Sequence, residues 1–145
     1  MSTFDSHRSA PGALYAGLIL AVGATLAPYV DRAAGNVLAD HVRDGYPTYS
    51  AARVDTAVTT WLAILTSVGI LGIACWIVTL WAARTGKSWT RPAAVLAFAL
   101  GTAVALAALL TKDTSGEVGL APLLGWIGLL PSVAGLVAVV QLWRR

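Results

Sequence analysis

Charged residues cut this chain into short polar joints and four stretches that carry no charge at all. The stretches run from Ser9 to Val30, Thr56 to Ala83, Pro92 to Thr111 and Val118 to Trp143, and are 22, 28, 20 and 26 residues long. A helix rises roughly 1.5 Å per residue, so about 20 apolar residues cross about 30 Å of hydrocarbon. Each stretch meets that length. Strands of a membrane barrel would show alternating segments of roughly ten residues, whereas these runs are apolar on every face. With no water to satisfy an open backbone, helices are the structure left to them.

Composition agrees. Only 12% of the 145 residues are charged, against roughly a quarter in a soluble domain. The sequence therefore predicts an all-α fold: one integral membrane domain over 1–145, built as a bundle of four transmembrane helices at about 10–30, 53–84, 91–111 and 118–143. Cys75 is the lone cysteine, so no disulfide forms within one chain. The net charge is +3, but lysine and arginine are scattered rather than clustered, and no nucleic-acid partner is expected.

Aromatic residues mark the expected boundaries. Trp61 and Trp81 lie 20 residues apart in the second stretch, roughly 30 Å at helical rise, so each can reach one interface. Tyr15 and Tyr29 bracket the first stretch, and Trp143 closes the fourth, as in an aromatic belt. With both termini inside, the inner side holds Arg8, Arg84, Lys87, Arg91, Arg144 and Arg145. The outer side then holds Arg32, Arg43, Arg53 and Lys112. The positive-inside rule therefore places both termini in the cytoplasm of a multi-pass plasma-membrane protein. Arg8 alone is a weak charged leader and no small-x-small cleavage site follows, so the first helix reads as a retained signal anchor. Cys75 lies inside a helix and no lipidation motif is present.

No Asp, Glu, Lys, Arg or His lies within the four stretches. Proton-coupled pumps need an ionisable group at membrane depth; small multidrug transporters, also short four-helix chains, depend on an embedded glutamate. A haem between helices needs axial ligands, and His7 and His41 both lie outside the stretches. No cofactor is expected. The polar groups that do fall near mid-depth, counting along each helix, are Thr66, Ser67, Thr102 and Ser132. Pro131, beside Ser132, removes a backbone donor from the fourth helix. Together these five form a candidate ligand-binding set, a small polar pocket at a kink. The simpler alternative is that each hydroxyl bonds the preceding turn of its own helix. Small residues four apart, Ala13/Gly17/Ala21, Gly101/Ala105 and Gly128/Ser132, read as close-packing surfaces.

Asp31 to Asp55 is the longest polar segment. Val30, Ala34, Val37, Leu38 and His41 follow the helical period on one face, and Arg32, Asn36, Asp40 and Asp44 on another. A short amphipathic helix in the outer first loop is therefore expected, broken at Gly45, Tyr46 and Pro47. Ser50 would cap a second helix that starts above the membrane surface. Asp40, His41 and Asp44 are the outer-loop candidates for a site, which Asp55, Asp113 and Glu117 could approach from adjoining loops. No HExxH or nucleophile motif accompanies them, and zinc hydrolases need more histidines. No metal or catalytic residue is therefore assigned. Asp40 is also placed to pair with Arg43, three residues on. The loop from Arg84 to Arg91, with Trp89, suits contact with anionic headgroups.

The segments HVRDGYPTYSAARVDTAVTTWL (His41 to Leu62), ARTGKSWTRP (Ala83 to Pro92) and GLAPLLGWIGLLP (Gly119 to Pro131) resemble those of small four-helix integral membrane proteins of actinobacteria. The resemblance implies a bacterial plasma membrane and a shared fold, and no activity. The expected function is a non-catalytic accessory or structural membrane subunit. Its partners would be membrane lipids and a homo-oligomer or larger membrane complex. The alternative is a lipid- or small-molecule-binding protein or facilitator, with a pocket near Pro131 under the outer helix.

Overall fold

The computed structural model describes the backbone of residues 3–113 and 119–144, and side chains from residue 12 onward. The side chains of Asp5, His7 and Arg8, together with Glu117, Val118 and Arg145, lie outside the described residues. The described chain is helical, with five α-helices: α1 (Thr3–Val30), α2 (Val37–Gly45), α3 (Ala51–Arg84), α4 (Thr90–Leu110) and α5 (Pro122–Trp143). Four segments, Gly12–Gly35, Ala51–Arg84, Thr90–Leu110 and Pro122–Trp143, are long and apolar enough to cross a membrane.

The helix ends have local causes. Ser50 Oγ accepts from Arg53 N at 3.3 Å and starts α3. α3 ends in a Schellman closure. Lys87 N bonds Ala82 O at 3.0 Å and Gly86 N bonds Ala83 O at 3.4 Å, while Gly86 takes the positive φ of 67° that a residue without Cβ adopts most readily. α5 begins at Pro122 rather than Val118, because proline suits the first helical turn, where its missing N–H is not needed.

The outer segment departs from a single amphipathic helix. α1 runs into a π-helical turn, Asp31–Gly35, and Asn36 at φ 55° reverses the backbone before α2 begins. The Asp31 carboxylate accepts from Val37 N at 2.7 Å and Leu38 N at 3.0 Å, so it caps α2 from six and seven residues back. The break shifts the helical phase. Val30, Ala34 and Val37 are exposed, and Leu38 and Val42 carry the buried face of α2. Asp31→Ala is expected to cost about 1–2 kcal/mol of α2 stability. Hydrogen exchange at the Val37 and Leu38 amides should then quicken roughly tenfold or more; unchanged rates would show that the cap carries no such stabilisation.

The long helices form a ring in the order α3, α1, α5, α4, with α4 closing back on α3; the most extensive packing joins α1 to α5. At one end, Leu38 and Val42 of α2 pack with Val54, Val58 and Leu62 of α3 and with Leu120, Ala121 and Leu124. Those α3 residues recur every four positions, so the first turns of this 34-residue helix serve as the platform for α2. Towards the other end, Leu14, Leu80 and Ala138 join α1, α3 and α5 around Trp76. A methyl group built on Gly17 would overlap the Trp76 ring, and one on Gly135 would lie 3.7 Å from it. Gly17 thus makes room for an indole that meets three helices, whereas the tighter neighbour of Gly135 is Phe98, 3.1 Å from an added Cβ.

Not every small-residue stripe packs. Gly17 and Ala21 are buried as expected on α1. Gly101 and Gly128 are exposed, and an added Cβ at either would meet nothing. α5 packs instead through Gly125, Ala134, Gly135 and Ala138.

Candidate functional site

A half-open cavity lies beneath α2. It measures about 340 Å³, within the lower range of small-molecule sites. Its walls come from three places. α2 supplies His41, Val42 and Gly45; one face of α3 supplies Ala57, Thr60, Trp61 and Ile64; the chain before α5 supplies Asp113 and Gly119. Tyr46 and Tyr49, from the α2–α3 link, complete it.

The aromatic groups are held in register. Tyr46 and Tyr49 stack with centroids 4.5 Å apart and planes 11° from parallel. The Arg53 guanidinium lies 4.4 Å over the Tyr49 ring. Trp61 is half-buried and sits against Gly119, where an added Cβ would come 3.1 Å from the indole. Thr60 Oγ1 donates to Thr56 O at 2.9 Å, within its own helix.

A second, more polar cavity of about 260 Å³ opens on the other side of α2, lined by Arg32, Asn36, Arg43 and Asp55 together with Ala39, Ala51, Val54 and Val58. Arg32 pairs with Asp55 across this cavity at 2.9 Å, and Arg43 pairs with Asp40, outside it, at 2.8 Å. All four side chains are well exposed, so each pair contributes little to stability.

The outer-loop candidates are therefore divided. Asp40 and Asp44 lie on the exposed side of α2, and Asp40 is engaged by Arg43. His41 faces the first cavity, which it shares with Asp113. Asp55 is drawn to Arg32 instead. The helical period explains the division: neighbours on a helix turn about 100° apart, so Asp40 and His41 cannot share a face. Among the described residues no group of three or more His, Cys, Asp or Glu is arranged to hold a metal ion.

The mid-helix set is placed as follows. The Thr66 and Tyr29 hydroxyls are hydrogen-bonded, which sets Thr66 level with the last turn of α1. Ser67 Oγ donates to Ala63 O at 2.9 Å. Thr102 Oγ1 on α4 is buried without a hydrogen-bond partner among the described residues. Pro131 and Ser132 are half-buried on α5. None of the five lines either cavity. The space under the outer helix is bounded by the α2 end of α3, because α3 extends past α1 at that end.

Sequence reading passed over two groups. Gln141 Oε1, from the single glutamine of the chain, is buried near the end of α5 with no hydrogen-bond partner among the described residues. Its only signal was an amide in an otherwise apolar stretch. Tyr46 reads as part of a helix break and Trp61 as an interface anchor, Tyr49 carries no sequence signal of its own, and the convergence of the three on one cavity depends on the angle at which α2 folds back. No family model matches the chain, and neither does any curated protein or solved structure.

Proposed function

We propose that this chain is a small, non-catalytic, multi-pass protein of the bacterial plasma membrane that acts as an accessory or structural subunit, with both termini cytoplasmic. One observation carries the reading. The loops are short, and the outward sides of the long helices present most of the surface. On α4 only Thr90, Ala94 and Ala105 are buried, whereas Leu96, Leu100, Val104, Leu106 and Leu110 are exposed. Recognition by such a molecule takes place laterally, in the plane of the bilayer, through shape and close packing.

The proposed orientation draws support from the two ends. At the α3–α4 hairpin, Arg84 donates to the Tyr15 hydroxyl at 3.0 Å, Lys87 lies 5.5 Å from the centre of the Trp81 ring and Arg91 5.8 Å from that of Trp143. Arg144 adds a further cation, and no described acid lies at that end. The α2 end mixes both signs, with Asp31, Asp40, Asp44, Asp55 and Asp113 among its cations. A cationic rim backed by aromatic rings suits the anionic headgroups of a cytoplasmic leaflet.

Native mass spectrometry after mild extraction, with lipids retained, tests the proposal. The expected result is a larger hetero-complex or a defined assembly with a neighbour. A bare homo-oligomer carrying one persistent small ligand would overturn it in favour of a second reading, a small-molecule-binding protein, which the cavity under α2 favours.

A further inference from the structure

We infer that the hairpin end of α3 holds one anionic phospholipid, its headgroup at Arg84 and Lys87 and an acyl chain laid along one exposed side of the helix. This rests on the membrane reading above and names one lipid partner within it.

Local structure brings the two cations together. The closure that ends α3 turns the chain through Gly86. Lys87 is thereby folded back until its ammonium lies 5.5 Å from the centre of the Trp81 ring. Arg84, one turn after Trp81, reaches towards α1 and donates to the Tyr15 hydroxyl at 3.0 Å. Both partners are neutral, so neither contact cancels a charge, and no carboxylate among the described residues pairs with either cation. Both side chains are exposed. A guanidinium carries five N–H donors and an ammonium three. One bond to Tyr15 therefore fixes Arg84 while leaving donors for a phosphate oxygen.

The helix surface leading up to these cations suits an acyl chain. Ile70, Ala74, Ile77, Trp81 and Arg84 follow one another at intervals of four, three, four and three residues, so they share one side of α3. All five are exposed. From Ile70 to Trp81 is roughly 16 Å at helical rise, about half the thickness of the hydrocarbon core. Arg84 then stands one turn further out, at the depth of the phosphates. Trp81 and Trp89, with ring centroids 6.1 Å apart, mark the boundary between chain and headgroup.

The charge selects among lipids. A zwitterionic headgroup brings a choline that both cations repel, and the Trp81 ring that would attract it already faces Lys87. An anionic headgroup brings no such cation. The other end of α3 lacks a comparable pair, because Arg53 lies over Tyr49 and Asp55 stands two residues on.

The test uses the full chain, stripped of lipid in a non-ionic maltoside detergent and given equal amounts of phosphatidylglycerol and phosphatidylcholine with the same acyl chains. Native mass spectrometry reads the ratio of the two species that carry one lipid. Phosphatidylglycerol should lead on the order of tenfold. Arg84→Gln and Lys87→Gln should each lower that lead about three- to fivefold, and together bring the ratio near unity. Arg144→Gln removes an equal charge at the same end, but from α5, across the ring from α3, and should change the ratio by about twofold or less. All three replace exposed side chains, so the comparison does not depend on a variant that fails to fold. Excess glycerol phosphate, a headgroup without chains, should not displace the lipid. Equal binding of the two lipids, or retention of neither, would overturn the site. So would a loss in Arg144→Gln as large as in Arg84→Gln, which would mean a general attraction by the positive edge. Displacement by glycerol phosphate would overturn the lipid as occupant in favour of a free phosphate ester. A chain that stays soluble without detergent would instead remove the membrane reading on which the site rests.

Discussion

Replacing the half-buried Trp76 with alanine is expected to destabilise the folded protein by about 2–3 kcal/mol, below the roughly 3–5 kcal/mol of a fully buried aromatic because part of the ring is already exposed. The ring lies where α1, α3 and α5 meet, against Gly17 and Gly135, with Leu14, Leu80 and Ala138 around it. Lipid tails offer a departing helix as much apolar contact as its neighbours do, so association depends on shape. A three-helix junction filled by one indole is therefore a place where shape matters most. Denaturation in mixed micelles, with unfolding followed by circular dichroism, measures the loss. Gly17→Leu should also destabilise, because its side chain would enter the space of the ring. Combined with Trp76→Ala, however, the leucine would partly refill the void, so the double variant should be at least about 1 kcal/mol better than the sum of the two losses. Strict additivity, or a loss below about 1 kcal/mol for Trp76→Ala, would mean that the ring is not a packing element.

The second large effect is expected at Gly69, where α3 crosses α1. An added Cβ would lie 2.9 Å from Thr25 Cβ and would overlap the rest of that side chain. Thr25 cannot easily yield. Its χ1 is restricted by β-branching, and its hydroxyl donates to Ala21 O at 2.7 Å. Gly69→Ala should thus push the two helices apart at a cost of about 1–3 kcal/mol, and Gly69→Leu more. Thr25→Ala should recover part of the Gly69→Ala loss, since it removes the atoms that crowd the new methyl. The same unfolding measurement reads both variants, and equal stability of Gly69→Ala and the parent would refute the close approach.

Gly69 also illustrates why some of the structure was legible from the residues and some was not. The long apolar segments announce themselves, because bilayer thickness fixes their length. Helix ends with local chemistry do as well: the Ser50 cap, the stop at Gly45 and the Asp40–Arg43 pair can all be read within a few residues. The packing faces cannot. On a soluble helix the polar side tells which face turns inward, but lipid accepts apolar side chains all round, so Gly69 against Thr25 looks no different from Gly101 or Gly128 against nothing. The outer helix failed in a more specific way. Its periodicity runs unbroken on paper from Val30 to His41, and only the left-handed Asn36, with the Asp31 carboxylate reaching forward to Val37 and Leu38, resets the phase. That long-range cap has no fixed spacing to recognise. The meeting of Tyr46, Tyr49 and Trp61 at the cavity beneath α2 likewise has no local signal.

The tight turn between α3 and α4 has a consequence for how the molecule is put together. Neighbours joined by so short a link would be expected to be each other's main partners, yet α4 packs more on α5, and α5 packs most on α1. The ring is therefore sealed by the pairing of α1 with α5, the two segments most distant in sequence. Until α5 arrives, α1 lacks its principal neighbour and α4 is held only by its hinge and a modest seam with α3. Truncation before Pro122 is therefore expected to leave α1 and α4 without that neighbour, baring the faces that α5 covers in the closed ring.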